Sequence, residues 1–261
     1  MCKLLEIKSL TVRYDGEGDV IKNINMDVGY KEIIGIVGES GSGKTTLIRT
    51  IINLLAPSSE VVSGDIIFED KNIRKYNKEA WRKLRNNEIA MIFQNPGAYL
   101  NPIIKIGKQF VESIRNHRDI SKAEAIIQAK AILEKMHLDD SDRIMNAYPF
   151  QLSGGMKQRV AIAMALAMKP KLILADEPTS ALDVKTQAQI VNELISLRNN
   201  FDTSIIIVTH NIGVAAYMSD RIIVMNQGEI VENDTKKEVI TQPKMEYTKQ
   251  LLAAIPELKG F

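Results

Sequence analysis

The stretch EIIGIVGESGSGKTTLIRTIINLL, residues 32–55, constrains this chain more than any other. A β-branched run ends in glycine and passes into a segment whose apolar positions suit a buried helix, giving strand, loop and helix. Gly38 to Thr45 fits G-x-x-x-x-G-K-[ST]. In that pattern glycines let backbone N–H groups converge on a phosphate, and the positive end of the helix faces it. Lys44 is spaced to reach the β- and γ-phosphates and the Thr45 hydroxyl to coordinate a bridging magnesium. With strand and helix both present, a glycine-rich helix cap alone is a poor explanation of the motif.

Two further β-rich runs, KLILADEP at 171–178 and TSIIIVTHN at 203–211, end abruptly in polar residues and read as buried parallel strands. Open α/β sheets bind ligands at the carboxyl ends of such strands, which singles out Asp176, Glu177 and His210. Successive strand residues face opposite ways, so the two acids are free to take different tasks. Asp176 is expected to hold magnesium through its water shell and Glu177 to polarise an attacking water as general base. The plain alternative is a salt-bridged pair.

Between residues 95 and 168 the pattern turns helical, with Ser121 and Glu124 as a capping box and Ile126, Ala129, Leu133 and Met136 at helical spacing. RIIVMNQGEIVEN, 221–233, reads as a hairpin closing the core. The expected organisation is a nucleotide-binding core with a β subdomain from 1–94 and 169–235, an inserted helical subdomain at 95–168 and a peripheral tail at 236–261.

Composition mainly excludes. Hydrophobic residues at 45% and charged residues at 25% of 261 describe an ordinary globular protein. A formal charge of +2 is too small for a nucleic-acid footprint, and the basic run at 71–85 reads as a solvated face. The single cysteine, Cys2, permits neither an internal disulfide nor a cysteine-based metal site, and fits a reducing cytoplasm. The N-terminus has no signal-peptide pattern, and no apolar run approaches the roughly 18 residues a bilayer requires. Any membrane role must come through a partner.

LSGGMKQR, 152–159, is a second candidate anion site: Ser153 and the Gly154 and Gly155 amides open a helix, without a lysine or magnesium ligand of their own. Together with GESGSGKTT and LILADEP it resembles the signature sequence of ATP-binding cassette (ABC) ATPases, and the three motifs stand in the family's order. The resemblance implies an α/β P-loop NTPase cassette with a RecA-like core, an antiparallel β subdomain and an inserted α-helical subdomain, hydrolysing Mg-ATP as a dimer. ATP would lie on Gly38, Glu39, Ser40, Gly41, Ser42, Gly43, Lys44, Thr45 and Thr46 of one domain and be closed by Ser153, Gly154, Gly155 and Gln158 of the other. Gln94, at the end of EIAMIFQ, resembles the loop glutamine that senses magnesium, with an ordinary strand-end amide as the alternative. Asp183, in SALD, resembles the residue that communicates between paired sites, and otherwise caps a helix. His210 resembles the switch histidine that contacts the γ-phosphate and orients Glu177. Tyr14 either stacks on adenine, as the family's aromatic loop does, or packs against the core.

FQNPGAYLNPIIKIGKQ, 93–109, and YTKQLLAAIP, 247–256, resemble the peptide and nickel importer branch. That implies a peripheral subunit on the cytoplasmic face of the membrane, paired with a second cassette, either a copy or a relative. It would power two permease subunits fed by an extracellular solute-binding protein. Met245 and Glu246 depart from the branch's usual His-Pro, and no cysteine-rich extension follows. A soluble cassette ATPase acting on ribosomes or DNA is the alternative. A single cassette without heptads argues against it, and a GTPase or kinase would leave LSGGMKQR, SALD and His210 unexplained.

Overall fold

Five short strands, β3 (Ile33–Val37), β6 (Ile89–Ile92), β7 (Leu172–Asp176), β8 (Ser204–Thr209) and β9 (Arg221–Asn226), run parallel in the order β9-β3-β8-β7-β6. They are buried on both faces, as their near-continuous apolar sequences require. Alternation divides them between two cores. Ile34, Ile36, Leu172, Leu174, Ile206 and Val208 pack into one cluster, while Ile33, Ile173, Ala175, Ile205 and Ile207 pack into another on the opposite face. β10 (Glu229–Thr235) folds back antiparallel on β9 through a turn at Gln227 and Gly228, completing the expected hairpin and the edge of the sheet.

This computed structural model describes residues 3–254 except Glu17, Asn86, Pro96, Ala98 and Ala181, with Asn199 and Asn200 described by backbone alone. Cys2, Ala181 of SALD, Pro96 and Ala98 of the 93–109 segment, and the end of YTKQLLAAIP lie outside the described residues.

A second, antiparallel sheet has the order β2-β1-β4-β5, built from β1 (Lys3–Tyr14), β2 (Gly18–Gly29), β4 (Ser59–Phe68) and the two-residue β5 (Lys71–Asn72). Its inward residues, among them Leu5, Ile7, Leu10, Ile21 and Ile66, share a cluster with Leu47, Ile48 and Ile51 of α1 (Lys44–Ile51). α1 is thereby clamped between the two sheets, which fixes the loop at its N-terminus. The basic run at 71–85 includes β5 and α2 (Lys78–Leu84); Ile73, Trp81 and Leu84 turn inward, Arg85 is half-buried over the Trp81 ring and donates to the carbonyls of Ile52 and Asn53, and the other cations of the run are exposed.

Between β6 and β7 the chain forms α3 (Ile106–Arg115), α4 (Lys122–Lys135), α5 (Ser141–Asn146) and α6 (Gly154–Leu166). α4 opens on the expected capping box: the Ser121 hydroxyl accepts from the Glu124 amide at 3.2 Å, and the Glu124 carboxylate accepts from the Ser121 amide at 2.8 Å. Phe110, Ile114, Ala125, Ala129, Leu133 and Ile162 fill the space between these helices and join the core on one face of the parallel sheet. α7 (Val184–Phe201) and α8 (Ile212–Met218) complete the covering of the parallel sheet, and α9 (Lys236–Thr241) and α10 (Glu246–Ala253) close the chain over β9 and Val37. Glu246 occupies the first position of α10. An acid in the first turn suits the positive end of the helix, so Glu246 is compatible with the start of α10.

Candidate functional site

The loop between β3 and α1 wraps as the sequence predicts. Gly43 caps α1 in the left-handed region with φ 97°, where a side chain would meet Ile21 Cδ1 at 2.8 Å. A Cβ on Gly38, at φ 151°, would collide with the Met225 carbonyl oxygen at 2.2 Å. Both glycines are therefore demanded by the way the loop sits against β2 and the β9–β10 turn. That turn grips it further: the Gly228 amide donates to Ser42 O at 3.2 Å, and the Lys22 amide donates to Gly228 O at 2.9 Å.

Lys44 is folded over its own loop, donating to the carbonyls of Gly38 at 2.8 Å and Glu39 at 2.7 Å and to Ser42 Oγ at 3.2 Å. Burial pushes its ammonium below the usual lysine range, opposed by Glu177, Asp176 and Glu39. The Thr45 hydroxyl donates to Asp176 Oδ1 at 2.8 Å, and Arg49 approaches Asp176 Oδ2 at 3.8 Å. Asp176 is only 2% exposed, and burial pushes its carboxyl above the usual carboxylate range despite the Thr45 hydrogen bond and Arg49. Thr45 and Asp176 thus offer two adjacent hard oxygens at the end of a strand and the start of a helix. Among the described residues no group of three or more His, Cys, Asp or Glu could hold a metal. The Thr45 and Asp176 oxygens match in number and kind what a magnesium ion takes from protein beside phosphate and water.

Glu177 joins three strand ends. Its Oε2 accepts from Gln94 Nε2 at 3.0 Å and its Oε1 lies 3.3 Å from His210 Nδ1. Its backbone is left-handed at φ 43°, held by its amide donating to Val208 O and by Ser180 Oγ donating to its carbonyl, both at 2.9 Å. Strain of this kind persists only where the surroundings over-determine it. Glu177, Gln94 and His210 line one cavity of about 840 Å³ together with Ser40, Gly41, Gly43, Lys44, Thr45 and Thr46. Asp19, Val20, Lys22 and Gln227 complete its wall. No motif marks these four; the nearest signal was the turn at Gln227 in the hairpin.

Tyr14 is not among the residues lining this cavity; it packs half-buried against the core of the antiparallel sheet. The signature residues also lie elsewhere. Ser153 caps α6, its Oγ accepting from the Met156 amide at 3.3 Å, and Ser153 and Gly154 are exposed. Gly155 lies against Thr186, whose amide and hydroxyl both donate to Asp183 at 3.0 and 2.7 Å. Asp183 therefore caps α7, and these hydrogen bonds hold its carboxyl below the usual range. Gln158, expected to close over ATP with the signature residues, instead turns inward: it is 2% exposed and its Nε2 has no hydrogen-bond partner among the described residues.

Residues 21–180 match the ABC transporter family. The chain is 41% identical over 258 residues to the dipeptide transport ATP-binding protein DppD of Lactococcus lactis, covering 97% of this chain and 74% of that one. It is 43% identical over 262 residues to the oligopeptide transport ATP-binding protein OppD of Bacillus subtilis, covering 99% and 73%. Among solved structures, cbiO1 from Clostridium perfringens, part of the ABC transporter complex cbiONQ, superposes with a TM-score of 0.81 at 27% identity, covering 98% of this chain and 97% of that one. An ATP-binding cassette solved as a dimer in a post-hydrolysis state, bound to ADP and Pi, superposes with a TM-score of 0.78 at 32% identity, covering 89% and 98%.

Proposed function

The chain belongs to the ABC transporter family and is one of its ATPases, and from that premise we propose that it powers uptake of di- or oligopeptides through separate membrane permease subunits. Among the described residues no helix is long and apolar enough to cross a membrane; in this reading the permease subunits supply the pore. The names of the relatives favour peptides over nickel as cargo. The observation that carries the catalytic reading is the convergence of Gln94 and His210 on the two oxygens of Glu177 at the rim of the Lys44 cavity.

In this reading the loop amides and Lys44 hold the β- and γ-phosphates, so Lys44 exchanges its bonds to the Gly38 and Glu39 carbonyls for bonds to phosphate oxygen. Thr45, and Asp176 through the ion's water shell, would hold Mg²⁺, which would neutralise phosphate charge. Glu177 takes the proton of the attacking water, and His210 and Gln94 keep its carboxylate aimed at that water. The chain pairs with a second cassette, and the pair lies on the cytoplasmic face against two permeases.

Deleting the chain in cells should abolish uptake of labelled di- or oligopeptides, with the wild-type chain restoring it. Loss of nickel uptake with peptide uptake intact would overturn the cargo assignment.

Asp176 supplies an independent check on the cation site. Because its folded-state pKa is raised, its ionised form costs stability above that pKa, and protonation at lower pH relieves the cost. Asp176→Asn should therefore raise the melting temperature of the nucleotide-free chain at neutral pH by about 2–4 °C per kcal/mol relieved. The same variant should lose the extra stabilisation that ATP gains from magnesium. Full Mg-dependent stabilisation in Asp176→Asn would remove this residue from the cation site.

A further inference from the structure

The C-terminal helix reaches back to the phosphate loop. The hydroxyl of Tyr247, on α10, accepts a hydrogen bond from the backbone amide of Glu39 at 3.0 Å, across 208 positions of sequence. Glu39 is an exposed loop residue whose carbonyl takes up bonds from Lys44 Nζ at 2.7 Å and the Ser42 amide at 3.2 Å. Glu39 is thus held at its amide by a side chain of the tail and at its carbonyl by the cradle's own lysine.

The tail is well placed to hold this point still. The amides of Lys244 and Met245 donate to the carboxylate of Glu232, on β10, at 2.9 and 3.3 Å, and Glu232 is only 6% exposed. Tyr247, Leu251 and Leu252 then pack on the cluster of Val37, Ile222, Val224 and Val239. Val37 directly precedes the loop, so one patch of core supports both the loop's entry and the residue that ties it down. A tail that served only to cover β9 would need the ring of Tyr247 and not its hydroxyl.

We propose that Tyr247 is a positioning residue for nucleotide binding, pre-ordering the Gly38–Lys44 loop from the C-terminal helix. It touches no reacting atom. Its effect falls equally on the ground state and the transition state, so it tunes affinity and leaves turnover alone. Without the hydroxyl the Glu39 amide loses its partner, and part of the loop's ordering must be supplied by the nucleotide on binding. Any displacement of α10 would be felt at the cradle through the same bond.

This inference rests on the reading of the loop as the ATP site, and Lys44→Ala in the same titration tests that reading separately. In the full-length chain, Tyr247→Phe should weaken binding of a magnesium complex of a non-hydrolysable ATP analogue by about three- to tenfold, the range a single neutral hydrogen bond supports. KM for ATP should rise in step while kcat stays within twofold. The Glu39 amide should exchange with solvent about tenfold faster. Leu251→Ala, which trims packing on the same helix and keeps the hydroxyl, should lower the melting temperature and leave affinity within twofold. Affinity within twofold of wild type in Tyr247→Phe, or an equal loss in Leu251→Ala, overturns the proposal. If Lys44→Ala also binds normally, the site itself has been misread.

Discussion

Glu177→Gln will bind ATP as the unaltered chain does and hydrolyse it about 10² to 10⁴ times more slowly, the contribution of a positioned general base. The substitution preserves shape and removes only the ability to take a proton. Glu177 is suited to such a test because its backbone amide and carbonyl are tied to Val208 and Ser180, so the residue should stay in place when its side chain changes. Its carboxylate is approached on one oxygen by Gln94 and on the other by His210. A structural ion pair would predict a different pattern, with little loss of rate and a change in stability of at most about 0–1 kcal/mol, the contribution of an exposed pair. His210 is 62% exposed at its side chain, which makes a purely structural pair a weak explanation from the start. Single-turnover hydrolysis and equilibrium binding on the same preparation separate the two cases. Unchanged single-turnover hydrolysis in Glu177→Gln would remove the residue from the chemistry.

The parts legible in the sequence were those written in local patterns. A buried parallel strand needs a near-continuous apolar run, and Ile33–Val37, Leu172–Asp176 and Ser204–Thr209 carry such runs, with Glu177 and His210 directly following the last two at their carboxyl ends. The capping box of α4 and the turn at Gln227 and Gly228 were equally local, each set by a few adjacent residues. What escaped was set by tertiary approach. Asp19, Val20 and Lys22 reach the cavity because the antiparallel sheet packs over α1, and nothing in DVIK announces that placement. Tyr247 stands in the sequence only as the first residue of the branch-like YTKQLLAAIP in a peripheral tail, while its hydroxyl meets an amide 208 residues away. Gln158, grouped with the signature by sequence, is 2% exposed within α6, whereas Ser153 and Gly154 at the start of the same helix are exposed.

Ser153→Arg separates the two candidate anion sites most sharply. Ser153 and Gly154 are exposed at the start of α6, and neither lines the cavity that holds Lys44. In the isolated chain, nucleotide affinity should therefore stay within twofold of wild type. In the assembled transporter, hydrolysis should fall by about 10² to 10³, the typical cost of removing a preorganised donor from a developing charge. The turn bearing these donors is rigidly mounted: Gly155 sits against Thr186, and Thr186 is bound twice by Asp183. Ser153, Gly154 and Asp183 are all exposed beside this mounting, and in the proposed two-chain scheme they face a partner's nucleotide. An ATP molecule gripped by one chain and closed by the patch of another becomes part of the contact, so binding favours the closed pair and hydrolysis weakens it. Lys44→Ala should show the complementary pattern, losing affinity already in the isolated chain. If Ser153→Arg instead weakens nucleotide binding to the isolated chain as strongly as it slows hydrolysis, both anion sites serve one chain and the two-chain scheme fails.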